Sequence, residues 1–142
     1  QGNINLKKLE NCFFRLLSEN EILRTFFKVG DNGTIMQYLS EGINDFKLNV
    51  VGKNKTIEDI IDTEFSTPFD FTKPPLIRAV IKEVNPLKSI LILCVHHLVS
   101  DGWSMLLIKQ KLVDIYFNNE KATYDFQFNF LEFSFRIKII NL

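Results

Sequence analysis

The stretch Ile90-Leu91-Ile92-Leu93-Cys94-Val95-His96-His97-Leu98-Val99-Ser100-Asp101-Gly102 decides the fold. Its first six residues are apolar with no polar alternation. A strand of that kind must be covered on both faces, which puts it in the middle of a sheet. The strand reads from Ser89 to Val95, and the turn-forming run Asn85-Pro86-Leu87-Lys88 precedes it. Leu76 to Val84 reads as the strand before that turn, so the two form an antiparallel hairpin. Beyond His96 to Ser100, read as a loop, a helix is predicted from Asp101 or Gly102 to Phe117. Asn118-Asn119 ends it.

Moving outward, Leu6, Leu9, Phe13, Leu16 and Leu17 recur at helical spacing, and Asn5 or Asn3 can cap the start. Glu21 to Phe27 reads as a helix exit into a strand. Asp31-Asn32-Gly33 is a tight-turn signal, which makes Thr34 to Leu39 a returning partner strand. Phe46 to Val51 is another short strand. Thr56 opens a helix with Asp59 three residues on, in the manner of a capping box, and Ile57, Ile60, Ile61 and Phe65 form its buried stripe. Pro68, Pro74 and Pro75 bound a loop that holds Phe69-Asp70-Phe71. Phe126 to Ile140 is apolar with mixed periodicity and fits either helix or strand, with helix favoured over Phe130 to Ile137. Alternating helices and strands predict an α/β fold, a two-layer sandwich whose mixed sheet is covered by helices.

Composition narrows the classes of function. The 142 residues suit one domain or one lobe of a larger one. A 46% hydrophobic content with 14 Phe is enough for a core and argues against disorder. Lys+Arg and Asp+Glu are equal at 17 each, so the basic excess of a nucleic-acid binder is missing. Docking to another protein stays open, because such contacts depend on local patches. Cys12 and Cys94 sit far apart in unlike settings and make no disulfide framework. Both read as reduced, buried thiols, which fits the cytoplasm. The apolar run Ile90–Val95 is too short to cross a membrane. The chain opens at Gln1 and closes at Leu142, straight after apolar Ile137 to Ile140. Both ends read as cuts through a longer polypeptide.

The chemistry-bearing residues follow the central strand. Side chains alternate across a strand, so His96 and His97, the two histidines of the chain, are expected on opposite faces. One can meet a cleft while the other packs. Asp101 and Gly102 stand at a helix start, where free N–H groups and the positive dipole end suit a developing negative charge. Glycine there allows close backbone approach. A histidine at a strand end serves packing as readily as catalysis, and both readings stand at this point. A metal site from His96, His97 and Asp101 would need the two diverging imidazoles to converge, so no metal is expected.

The run His96-His97-Leu98-Val99-Ser100-Asp101-Gly102 resembles the His-His-x-x-x-Asp-Gly motif of condensation domains of nonribosomal peptide synthetases, within the wider chloramphenicol-acetyltransferase-like acyltransferases. Ser100-Asp101-Gly102-Trp103-Ser104 is similar to the condensation branch, and to domains that join an L-donor to an L-acceptor. Asn20-Glu21-Ile22-Leu23-Arg24-Thr25-Phe26-Phe27 resembles the family's Arg-His-Glu-x-Leu-Arg-Thr-x-Phe block, departing at Glu19 and Asn20. Phe69-Asp70-Phe71 and Pro75-Leu76-Ile77-Arg78 match a further segment. Asn129 to Phe133 matches the closing block weakly.

The resemblance implies a V of two similar lobes with the active site at their junction. Residues 1–142 would be the N-terminal lobe, without its first strand and without the whole second lobe. It implies amide formation between a donor acyl or peptidyl thioester and an acceptor aminoacyl amine. Both would be carried on 4'-phosphopantetheine arms of carrier proteins, beside an adenylation domain of the same synthetase. No cofactor would be bound directly. His97 would be catalytic, and His96 would support the fold. Arg78 would pair with Asp101 and brace the loop, and Gly102 would allow close approach and offer a backbone donor. Trp103 is expected at a core edge. Two other readings compete: a coenzyme A-dependent acyltransferase of the same fold, and a non-catalytic docking or scaffold lobe. An isolated lobe of this kind is expected to be inactive, with one apolar surface uncovered.

Overall fold

The computed structural model describes residues 4–43, 45–86, 88–118, 128–132 and 135–141. Helix α1 spans Leu6–Glu19. Asn5 caps it by accepting the Lys8 N–H at 2.9 Å, and Asn3 lies outside the described residues. A single 3-10 turn, Glu21–Arg24, leads into strand β1, Thr25–Val29. β2, Ile35–Leu39, returns antiparallel to it, with Thr25 opposite Leu39. Gly33 sits at φ +79 between them, in the left-handed region where a side chain is strained. Strand β3, Leu48–Val51, precedes helix α2, Ile57–Ser66. The expected capping box is present. Thr56 Oγ1 accepts the Asp59 N–H at 3.0 Å, and Asp59 accepts the Thr56 N–H at 2.9 Å. These bonds hold the Asp59 carboxyl below its ordinary range.

Strands β4, Ile77–Asn85, and β5, Lys88–His96, form the predicted hairpin. Helix α3 runs from Gly102 to Tyr116, and Asn118 follows it at φ 53. Strands β6, Phe128–Glu132, and β7, Phe135–Asn141, complete the described residues. The main sheet has the order β3-β4-β5-β7-β6, with β3 and β4 parallel and the other pairs antiparallel. The expected helix over Phe130 to Ile137 is therefore corrected to two strands. Leu93 is opposite Lys138 in this register, and Phe130 opposite Lys138 from the other side. The sheet satisfies the β5 backbone on both edges, which a helix in that position could not do.

Every β5 residue from Ile90 to Val95 is buried. Leu9, Cys12, Phe13, Leu16 and Leu17 of α1, Met105, Ile108 and Leu112 of α3, and the β4–β5 core form one hydrophobic cluster. α1 also meets α3 through polar ends: the Asn5 N–H donates to the Tyr116 hydroxyl at 3.0 Å, and Lys111 pairs with Glu19 at 3.2 Å. Helices thus cover a mixed sheet, as the sequence predicts. Cys12 and Cys94 are both buried free thiols. Among the described residues no helix is long and apolar enough to cross a membrane.

The central place of β5 sets a cost on disturbing it. Leu93 is 0% exposed, and Leu93→Ala is expected to destabilise the protein by about 2–5 kcal/mol, as buried leucine truncations do. Urea denaturation monitored by circular dichroism checks this. A loss below the usual range for a surface site would show that β5 is not the core of the sheet.

Candidate active site

β5 delivers His96 at its last residue, where the His96 N–H donates to the Leu76 carbonyl at 3.0 Å. The Val99 N–H then donates to the His96 carbonyl at 3.1 Å and closes a turn. The turn exposes His97 and Leu98 and returns Val99 and Ser100 to the interior. The Ser100 hydroxyl meets no hydrogen-bond partner among the described residues. The two histidines differ in exposure. His96 is half-buried and His97 is exposed.

His96 has a defined surrounding. The Phe71 ring lies 4.8 Å from its imidazole and the Phe69 ring 5.8 Å, both edge-on at 80°. Its Nδ1 accepts the Leu98 N–H at 3.1 Å. An accepting Nδ1 carries no proton, so the neutral ring holds its proton on Nε2. Burial, followed by the positive charge of neighbouring His97, pushes the His96 pKa below its ordinary value. Both effects favour that neutral form.

Asp101 caps α3. Its Oδ1 accepts the Ser104 N–H at 2.7 Å and the Ser104 hydroxyl at 2.6 Å. Gly102 is the first residue of the helix. The first backbone N–H groups of a helix have no intrahelical acceptor, so Gly102 brings donors and the positive dipole end close to the histidine turn. Met105, 0% exposed, anchors this end in the core. Trp103 departs from expectation: it is 69% exposed, with Leu106 and Leu107 also exposed on the same helix. Met105, Ile108 and Leu112 are the buried positions of α3. Trp103 lies two residues before Met105, about 200° around the helix, on the far side from the core.

Arg78 also departs from expectation. The pairing with Asp101 implied by the resemblance is replaced by a pairing with Glu64 of α2. Arg78 Nε meets Glu64 Oε2 at 2.6 Å. Its Nη2 donates to the carbonyls of Glu64 and Thr67 at 2.8 and 2.9 Å, and its Nη1 to the Pro68 carbonyl at 3.4 Å. The guanidinium lies 4.0 Å from the Phe69 ring centre. The reason is geometric. Arg78 stands opposite Cys94 in the β4–β5 register, so it shares a face with Cys94 and, two residues on, His96. That face meets the end of α2, whereas Asp101 is engaged at the start of α3. Burial pushes the Cys94 thiol up to about 11, against the lowering effect of nearby Arg78.

Glu64 was not singled out by sequence reasoning, yet a signal was there. It follows Ile57, Ile60 and Ile61 by seven, four and three residues, which puts a carboxylate on the apolar stripe of α2. A buried acid needs a partner. Asp70 was noted only within its block. Its side chain accepts the Thr72 N–H at 3.0 Å and the Thr72 hydroxyl at 2.6 Å, which fixes the bend that presents Phe71.

Comparison with known proteins follows the same lines. Residues 1–137 match the family model described as Condensation domain. The chain belongs to the condensation-domain family. It is 34% identical over 120 residues to gramicidin S synthase 2 of Aneurinibacillus migulanus, covering 84% of this chain and 3% of that one. It is 32% identical over 127 residues to bacitracin synthase 1 of Bacillus licheniformis, covering 83% of this chain and 2% of that one. The chain thus spans only a few per cent of the curated relatives it matches. Among solved structures, the starter condensation domain of rhizomide synthetase RzmA superposes with a TM-score of 0.70 at 21% identity, covering 89% of this chain and 33% of that one. The SgcC5 protein from Streptomyces globisporus gives 0.66 at 23%, covering 87% and 30%. These likenesses establish the fold of condensation domains.

Two outcomes follow from the site. The Arg78 and Glu64 side chains are 20% and 10% exposed, and breaking one half of such a pair is expected to cost about 3–5 kcal/mol. Glu64→Gln should therefore lower the urea midpoint strongly, and Glu64→Leu with Arg78→Met should recover much of the loss. A double variant as unstable as Glu64→Gln alone would refute the pairing. The second outcome concerns pH. The folded protein binds a proton at His96 less tightly than the unfolded chain, whose value is 6.5. The His96 contribution is then complete above pH 6.5 and is lost as pH falls below it. Denaturation midpoints at descending pH should fall less in His96→Gln than in wild type, and equal slopes would count against it.

Proposed function

We propose that the chain is the N-terminal lobe of a condensation domain in a nonribosomal peptide synthetase, and that His97 serves amide-bond formation. The observation that carries this reading is an exposed His97 on a tight turn at the end of a buried central strand, followed at once by the N-terminus of α3. That arrangement occurs in a chain of the condensation-domain family. A structural neighbour, a variant of the rhizomide starter domain, is in complex with C8-CoA and Leu-SNAC. Those ligands pair an acyl group with a leucyl group, and on this reading the present chain handles the same kind of pair.

The donor acyl or peptidyl group is a thioester on the phosphopantetheine arm of one carrier protein. The acceptor is an aminoacyl group on another. The acceptor nitrogen attacks the donor carbonyl carbon, the C–N bond forms, the C–S bond breaks, and the donor arm leaves as a thiol. An α-amine titrates near 7.7–8.0 and an imidazole near 6.5 in reference compounds. Much of the amine is therefore already free at neutral pH. The larger gain lies in holding the nucleophile in line and taking its proton as the tetrahedral intermediate forms. His97 does both. Backbone donors at Gly102 face the carbonyl oxygen as it becomes negative. His96 and the Arg78–Glu64 pair support the turn.

The Ser100-Asp101-Gly102-Trp103-Ser104 run favours an L-donor and an L-acceptor. The partners are the carrier proteins, an adenylation domain of the same synthetase, and a second lobe that closes the V. The reaction takes place in the cytoplasm, and without the second lobe the chain is inactive.

Amide formation by the complete parent synthetase, with donor and acceptor loaded on their carriers, tests this by intact mass. His97→Ala is expected to slow product formation by about 10²–10⁴-fold, the usual weight of a general acid–base group, with the fold intact. Equal rates in wild type and variant would overturn the role of His97. Product formed from a coenzyme A thioester but not from a loaded carrier would favour the rival acyltransferase.

A further inference from the structure

His97 is exposed, so the direction in which its ring leaves the chain follows from the backbone of the turn that carries it. Three bonds define that turn: His96 N–H to Leu76, Val99 N–H to the His96 carbonyl, and Leu98 N–H to His96 Nδ1. The third depends on how the His96 imidazole is rotated. Rotation of a ring about its side-chain bonds is soft unless neighbours restrict it. The neighbours here are Phe71 and Phe69, edge-on at 4.8 and 5.8 Å.

Phe71 lies outside the core cluster and is 41% exposed. Its place is nevertheless built from three sides. Asp70 accepts the Thr72 N–H and hydroxyl and bends the chain at Phe71. The Phe71 carbonyl accepts the Phe27 N–H of β1 at 2.7 Å. Phe69, two residues earlier, is held under the Arg78 guanidinium at 4.0 Å. A ring this exposed adds little to core burial, and it meets the His96 imidazole edge-on at 4.8 Å.

We propose that Phe71 is a positioning residue for the reaction at His97: its ring, with that of Phe69, keeps the His96 imidazole where Nδ1 accepts the Leu98 N–H, and so fixes the turn that presents His97. Its kinetic part rests on the condensation reading above, while the geometric part stands without it. The Phe69-Asp70-Phe71 block thereby acquires a physical purpose, and the brace Arg78–Glu64 acts on the site through Phe69.

The test uses the full chain of the synthetase with Phe71→Leu, which keeps apolar volume and loses the aromatic edge, and Phe71→Tyr, which keeps the edge. Phe71→Leu is expected to lower kcat by about 10–100-fold, the scale of a small misplacement of a reacting group. KM for both loaded carriers should stay unchanged, and Phe71→Tyr should stay close to wild type. In a His97→Ala background, Phe71→Leu should cause no further loss. Nitrogen-15 shifts of the histidines should show unprotonated Nδ1 at His96 in wild type and Phe71→Tyr, and a mixture of tautomers in Phe71→Leu. Phe71→Met replaces Phe71→Leu if the latter no longer unfolds cooperatively. A Phe71→Leu enzyme with wild-type kcat, an effect on KM alone, or an unchanged His96 signature overturns the proposal. If wild type forms no amide, the condensation reading fails, and the nitrogen-15 comparison decides the geometric part alone.

Discussion

Burial of β5 from Ile90 to Val95 is the constraint on which the rest of the molecule depends. Six consecutive apolar residues, Ile90 to Val95, are all buried, so the strand has no face to show to water. A strand in that position must have both backbone edges paired and both side-chain faces covered. β4 pairs one edge and β7 the other. α1 and α3 contribute to the common core, and α2 delivers its C-terminal end to the face that holds Arg78 and Cys94. The strand can end only by leaving this enclosure, and it does so at His96. The site is therefore where the core stops, and the tight turn after His96 is how the chain escapes it.

That same constraint explains what the sequence did and did not disclose. The strands and helices up to Phe117 have strong local signals. Asn5, Thr56 with Asp59, Gly33 and Asn118 sit where caps and turns need them. The segment Phe126 to Ile140 has no clear period, and local pattern alone favoured a helix. A non-local argument would have decided it. β5 needs a second partner, β4 supplies only one, and no other apolar segment remains after α3. Residues 119–127 lie outside the described residues, so the connection from α3 to β6 does not enter this argument.

Side-chain partners were harder to read than elements. Trp103 was expected at a core edge, yet the spacing of Met105, Ile108 and Leu112 already defines the buried side of α3, and Trp103 falls opposite. The resemblance implied Arg78 with Asp101. The structure uses each for a different helix: Asp101 caps the start of α3, and Arg78 closes the end of α2. The second choice has a clear logic. The last carbonyls of a helix lack intrahelical donors and carry the negative dipole end. A guanidinium offers five N–H groups in one plane. Arg78 spends them on the Glu64 carboxylate, the Glu64 and Thr67 carbonyls and Pro68. Family pattern identifies which positions matter, but strand parity decides what each one reaches.

The histidine pair shows how one residue type meets two environments at adjacent positions. Adjacent positions at the end of a strand emerge on opposite sides. His96 falls on the face that carries Arg78, where Phe69 and Phe71 meet it and burial favours its neutral form. A ring in that setting is a fixed acceptor: its Nδ1 is committed to Leu98, and its protonation would break the bond that shapes the turn. His97 emerges into solvent from that same turn. A proton relay must exchange protons freely, whereas a brace must not exchange them at all. On the proposed reading the two demands conflict in one imidazole, and a half-buried ring at the strand end beside an exposed ring on the turn would separate them.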